Sequence, residues 1–206
     1  MANDKPPTAF TYPARPQFRR HAPSGYRHYR SYRPWLRDEF AFRCVYCLIR
    51  EQWGQFTGQF DLDHFDPSSG SSTTDHAYTN LVYGCHTCNL RKGSRTLPDV
   101  ESHLTRESIR VCMDGRIASL SSEVERIVDI LALNSPRLIQ WRMSWIRIID
   151  LAARNDPALH ERLMGYPENL PDLSTLRPST NSKPGGIDQS AYAKRERNDL
   201  PSVYFE

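Results

Sequence analysis

Four of the five cysteines form two Cys-x-x-Cys pairs, Cys44/Cys47 and Cys85/Cys88, with 37 residues between the pairs. Inside that interval the segment "FDLDHFDPSSG" puts Asp61, Asp63, His64 and Asp66 within six positions. Two thiol pairs in a reducing compartment have the spacing of one tetrahedral zinc, each pair clipping one side of the ion. Such a site is closed, because four thiolates leave no position for water, so it builds structure rather than performing chemistry. Cys112 suits a small buried residue. The Asp-His segment has other possibilities. A histidine with an ordinary pKa of about 6.5 is a base near neutral pH. The plain alternative is a solvated acidic turn, in which Asp66 initiates the bend at Pro67.

A zinc clip would tie the segment before "DLDHFDP" to "NLVYGCHTCNLRKG" after it, bringing positions near 64 and 89 together. Around this region the chain divides into four stretches. Residues 1–30, with five prolines after position 5, read as a loose basic arm, and 31–100 as the motif-bearing core. Residues 101–166 read as a hairpin and two helices, and 167–206 as a polar, Pro-rich tail. A helix is expected over Tyr32–Phe42, with Pro34 tolerated in its first turn. "IRVCMDGRIASL" reads as a hairpin turning at Asp114-Gly115, with Ile109 opposite Leu120 and Val111 opposite Ala118. Ser122 and Glu125 suggest a capping box for a helix ending near Asn134. A second helix runs from Ser135-Pro136 to about Ala153, with Leu138, Trp141, Trp145, Ile149 and Ala152 on its packing side.

Charge is distributed unevenly. Residues 1–50 hold ten Lys/Arg against Asp4, Asp38 and Glu39, giving +7, and the rest hold 17 basic against 21 acidic side chains, giving −4. The basic part interleaves arginine with Tyr, Phe and Trp, a pattern suited to phosphate contact and base stacking, and Arg30, Arg33 and Arg37 are candidate contacts. No run approaches the roughly 20 apolar residues of a membrane span. The N-terminal residues lack a secretory signal, so the expected location is the cytoplasm and no membrane partner is expected.

Cys-x2-Cys, Asp63-His64-x-x-Pro67, Asn80-Leu-Val and Cys85-x2-Cys88-Asn89-x-x-Lys92, in that order, resemble the zinc-bearing HNH endonucleases. The resemblance covers about residues 44–93, with a weaker likeness at "LALNSPRL". It implies an α+β chain with a ββα-metal core, a structural four-cysteine zinc, and a following β-hairpin and C-terminal helices. It also implies a metal-dependent hydrolase of DNA phosphodiester bonds, with RNA left open, leaving 5′-phosphate and 3′-hydroxyl ends. By analogy it suggests bacterial or phage restriction or defence, with a possible protein partner.

Carried over by position, His64 is the general base, Asp63 a metal ligand and Asn80 the brace that orients His64. Asn89 stands where the family's last histidine would be and offers an oxygen ligand. Asp63 and Asn89 are hard oxygen donors, which favours Mg2+ or Mn2+ as the catalytic ion. Arg91 and Lys92 are candidates to grip flanking phosphates. Neighbouring strand residues face opposite sides, so either the strand twists before Pro67 or Asp61, on the face of Asp63, is the ligand. His86 reads as an exposed knuckle residue, and His28 and His76 as surface residues. The competing reading is a non-catalytic zinc module that binds nucleic acid or protein. Such a module has no use for Asp63, His64, Asn80 and Asn89 together.

Overall fold

Proline, aromatic and β-branched residues set the elements that carry the motif. In the computed structural model, which describes residues 8–53, 59–64, 66–67, 77–178 and 184–204, α1 spans Arg33–Glu39 with Pro34 in its first turn. Proline is tolerated there because the first amides of a helix have no partner within it. Trp35 and Leu36 are fully buried. Strand β1, Phe60–His64, pairs antiparallel with β2, Leu81–Cys85, in the register Phe60↔Cys85 to His64↔Leu81. Helix α2, His86–Lys92, follows β2 directly, and Cys85 is its N-cap residue.

A short α3, Val100–His103, precedes a second two-stranded sheet of β3, Ile109–Val111, and β4, Ile117–Ser119. Then come α4, Ser122–Ile130, α5, Pro136–Asn155, and α6, Pro157–Met164, with α7, Ala191–Glu196, near the end. The chain is therefore α+β, with two small antiparallel sheets among helices over the described residues. Among the described residues no helix is long and apolar enough to cross a membrane.

The second hairpin is shifted one residue from the expected register: Ile109 pairs with Ser119 and Val111 with Ile117. Cys112 N donates to Arg116 O at 2.8 Å and Gly115 N to Cys112 O at 2.9 Å, so the loop has three residues with Gly115 left-handed at φ +80°. Three-residue loops of this kind end on a left-handed residue, which glycine adopts without strain. The shift buries Ile117 and leaves Leu120 61% exposed. The cap of α4 also moves one place, to Ser121, whose side chain accepts from Val124 N. Asn134 does not end that helix. It brackets Ile117, accepting from its N–H and donating to its carbonyl.

The N-terminal arm and the tail are packed rather than loose over the described residues. Ala9, Phe10 and Tyr12 are buried, and Phe10 lies edge-on to Trp53 at 5.3 Å and Trp141 at 5.7 Å. Prolines forbid a long helix there but do not stop aromatic residues from packing against α5. Part of the charge of the first fifty residues also turns inward. Arg19 donates to Leu81 O at 2.7 Å and pairs with Glu101, and Arg33 donates to Phe60 O at 2.9 Å. Arg43 reaches Thr11 O and Arg50 reaches Met164 O. In the tail, Leu173 is fully buried, and Ala191 N donates to the buried carboxylate of Asp38 at 2.7 Å. A buried carboxylate requires donors, and this main-chain amide supplies one.

Candidate active site and metal centre

The two Cys-x-x-Cys pairs reach one point by different means. Around the first, Arg43 bridges to Arg50, Cys44 N donates to Ile49 O, and Leu48 takes a left-handed φ of +61°, making a tight knuckle. Val45 N donates to Tyr83 O, docking the knuckle on β2. In the second pair, Cys85 closes β2 and Cys88 lies one turn on, on the same face of α2. All four Sγ atoms lie within 4.8 Å of one another, and all four residues are buried. Cys47 Sγ and Cys85 Sγ are 3.7 Å apart. A zinc–sulfur tetrahedron with bonds of about 2.3 Å has edges close to this length, so the donors fit zinc.

Beside this clip, β1, β2 and α2 form a ββα unit. Strand β1 stays paired through His64, so its side chains keep alternating to the end. Asp61 and Asp63 face α2, whose His86, Asn89 and Lys92 form one row. Asp61 Oδ2 meets His86 Nδ1 at 2.8 Å and Asn89 Nδ2 at 3.0 Å. Asp63 is 4% exposed, with Oδ1 accepting from Lys92 Nζ at 2.9 Å and Oδ2 from Tyr46 OH at 2.5 Å. Burial pushes the Asp63 carboxyl up, and the bonds from Tyr46 and Lys92 oppose that rise. Tyr46 itself is pushed well up by burial and then by Asp63. Its ring reaches this position because residue 84 is glycine: a Cβ there would stand 3.1 Å from Tyr46 Cε2.

His64, at the end of β1, puts its ring edge-on to Tyr29, centroids 4.9 Å apart, while its carbonyl accepts from Lys92 Nζ at 2.7 Å. Asn80 clamps the chain just beyond: Asp66 N donates to Asn80 Oδ1 at 2.9 Å, and Asn80 Nδ2 donates to Asp66 O at 3.2 Å. The structure thus brings Asn89 to Asp61, and Asp63 to Lys92 one helical turn along. A carboxylate holds four lone-pair positions, so Asp63 keeps acceptor capacity on both oxygens, and the Asn89 amide oxygen is not used by Asp61. Both side chains carry oxygen of the kind that a hard divalent ion takes.

Four of the expected phosphate contacts are engaged elsewhere. Lys92 is 1% exposed and bound to Asp63 and His64, out of reach of a phosphate. Arg91 Nη1 donates to the carbonyls of Leu131 and Ala132, where α4 ends. Arg37 pairs with Glu51 through two nitrogens, and Arg33 holds the Phe60 carbonyl. Arg30 is exposed, with its guanidinium 6.0 Å from the Tyr29 ring. His86 is exposed as expected but bonded to Asp61. His76 lies outside the described residues. Sequence reasoning missed Tyr46, Tyr29 and the inward role of Lys92, since a tyrosine inside a Cys-x-x-Cys knuckle gives no separate signal.

Residues 44–95 match the family model described as HNH endonuclease. The chain carries an HNH domain. Its boundaries enclose both cysteine pairs, β1, β2 and α2, and the four-cysteine cluster fits the zinc-bearing form of HNH proteins. Comparisons with curated proteins and with solved structures give no match.

Proposed function

We propose that this HNH protein is a metal-dependent endonuclease hydrolysing DNA phosphodiester bonds. The observation that carries the reading is the ββα unit, which puts His64 at one strand end and lays Asp63 along the helix bearing Asn89. His64 is the general base, taking the proton of the attacking water at a ring nitrogen. Tyr29 restrains the imidazole plane, and Lys92 pins the His64 carbonyl, so base and carboxylate hang from one ammonium. Asn80 keeps the chain beyond His64 from swinging by holding Asp66 on both sides. Asp63 and Asn89 hold Mg2+ or Mn2+, which when bound supplies positive charge to the scissile phosphate and the leaving oxygen. Arg30, exposed beside Tyr29, meets a flanking phosphate. A zinc ion at the four cysteines holds the two halves of this site together.

Zinc-loaded protein is expected to nick supercoiled plasmid with Mg2+ or Mn2+. His64→Ala is expected to lose about a hundredfold or more in rate while melting at an unchanged temperature. Equal cleavage by wild type and His64→Ala would remove His64 as the base. A folded, zinc-loaded wild type inactive on plasmid, single-stranded DNA and RNA would leave the binding-module reading instead.

A further inference from the structure

The contact between β1 and α2 contains a bond that the Asp-His-Asn chemistry does not itself require. Asp61 Oδ2 receives Asn89 Nδ2 at 3.0 Å and His86 Nδ1 at 2.8 Å. A side-chain amide is nearly symmetric in shape but not in chemistry: one branch accepts and can ligate a cation, and the other only donates. An ionised carboxylate has no hydrogen to give, so the branch of Asn89 that faces it is the NH2 group. The carbonyl branch is then turned away from Asp61.

We propose that Asp61 is a positioning residue, whose bond to the Asn89 NH2 group fixes the amide with Oδ1 presented to the catalytic cation. This rests on the reading that Asn89 is a ligand of that cation. Without Asp61 the amide is free to turn over, and in the wrong orientation it presents donors to a positive ion. His86, bonding the same oxygen from one turn earlier on α2, steadies Asp61 rather than the cation. Groups behind ligands act in this way generally, and their loss costs affinity without removing a donor.

The test uses the full zinc-loaded chain, with free Mn2+ followed by its electron paramagnetic resonance signal. Asp61→Leu is expected to weaken Mn2+ binding about 10- to 100-fold. Asp61→Asn keeps an acceptor oxygen for Asn89 and is expected to stay close to wild type. The deciding arm is Asn89→Asp, whose side chain has oxygen on both branches and needs no orienting. In that background Asp61→Leu is expected to bind Mn2+ as Asp61→Asn does, because both lose the same nearby negative charge and no amide needs orienting. An equal loss from Asp61→Leu in both backgrounds would make Asp61 itself a ligand and overturn the proposal. So would an Asp61→Leu chain that binds like wild type. A wild type that binds no Mn2+ would fail the Asp63/Asn89 site first, and this inference with it.

Discussion

Lys92 Nζ donates to Asp63 Oδ1 at 2.9 Å and to the His64 carbonyl at 2.7 Å, with both side chains nearly sealed from water. One cation therefore neutralises the buried carboxylate and fixes the end of the strand that presents the histidine. A buried charge that loses its partner is strongly destabilising, whereas a neutral group in the same place is not.

That difference gives a pH signature. Burial raises the Asp63 carboxyl above its ordinary 3.8, so the folded chain holds this proton more tightly than the unfolded chain. The sign follows: stability from this group is greatest when it is protonated and falls as pH rises through the raised folded value. Lys92→Met removes a bond that opposes the rise and moves the window further up. The variant is expected to be destabilised by about 3 kcal/mol at pH 8 and by clearly less at pH 5.5. Urea unfolding of wild type and variant, compared at each pH, checks this. An equal difference at both would mean that Asp63 is not the charge Lys92 compensates.

Removing the metal from the cysteine cluster is expected to unfold the HNH domain. Structural zinc contributes about 10–16 kcal/mol in small sites, comparable with the whole stability of a domain. We expect about one zinc per chain by elemental analysis. Chelation with phenanthroline, or Cys44→Ser, should abolish the cooperative melt of residues 44–95, read by amide hydrogen exchange. A metal-free chain that melts like the loaded one would contradict the clip.

Gly115 is a third point of leverage, well away from the chemistry. A Cβ there would stand 2.4 Å from the Ile139 carbonyl oxygen on α5, in a backbone already at φ +80°. The Gly115 carbonyl also accepts from Nε of the fully buried Arg142 at 2.6 Å. Gly115→Ala is expected to lose about 2–3 kcal/mol in chemical denaturation, through strain and close contact. Asp114→Ala, at the exposed residue before it, loses the bond that Asp114 Oδ1 accepts from Arg116 N and should cost about 1 kcal/mol or less.

The parts that could be read from the sequence were those with a fixed chemical spacing. Two Cys-x-x-Cys pairs imply one convergence point wherever the chain wanders between them, whereas the ββα unit came only from the family resemblance of the motifs. Pro34 and Pro136 likewise marked helix starts, because proline has few other places in a helix. The hairpin failed by one residue, since Asp-Gly suits both a two-residue turn and the last two positions of a three-residue turn. Only the packing of Ile117 against the core separates the two. The arginines failed for a different reason. Composition shows that a stretch is basic but not whether a carbonyl or a phosphate receives each guanidinium. The partners of Arg33, Arg37 and Arg91 lie 27, 14 and 40 residues away. Asp61 was seen as a spare ligand, and its bond to Asn89 needed the strand and helix placed side by side.

The inward arginines alter what the formal charge of this chain means for a polyanion. Arg19, Arg33, Arg43 and Arg50 are bonded to main-chain carbonyls, and Arg37 to a carboxylate. Each exchanged its water for a protein oxygen when the chain folded, so none is available to displace counterions from a nucleic acid. Counterion release, which gives most polyanion binding its affinity and its salt dependence, would draw only on the exposed cations. Five of the ten basic side chains behind the +7 of the first fifty residues are thus turned inward, and a DNA backbone would touch fewer of them than the formal count implies.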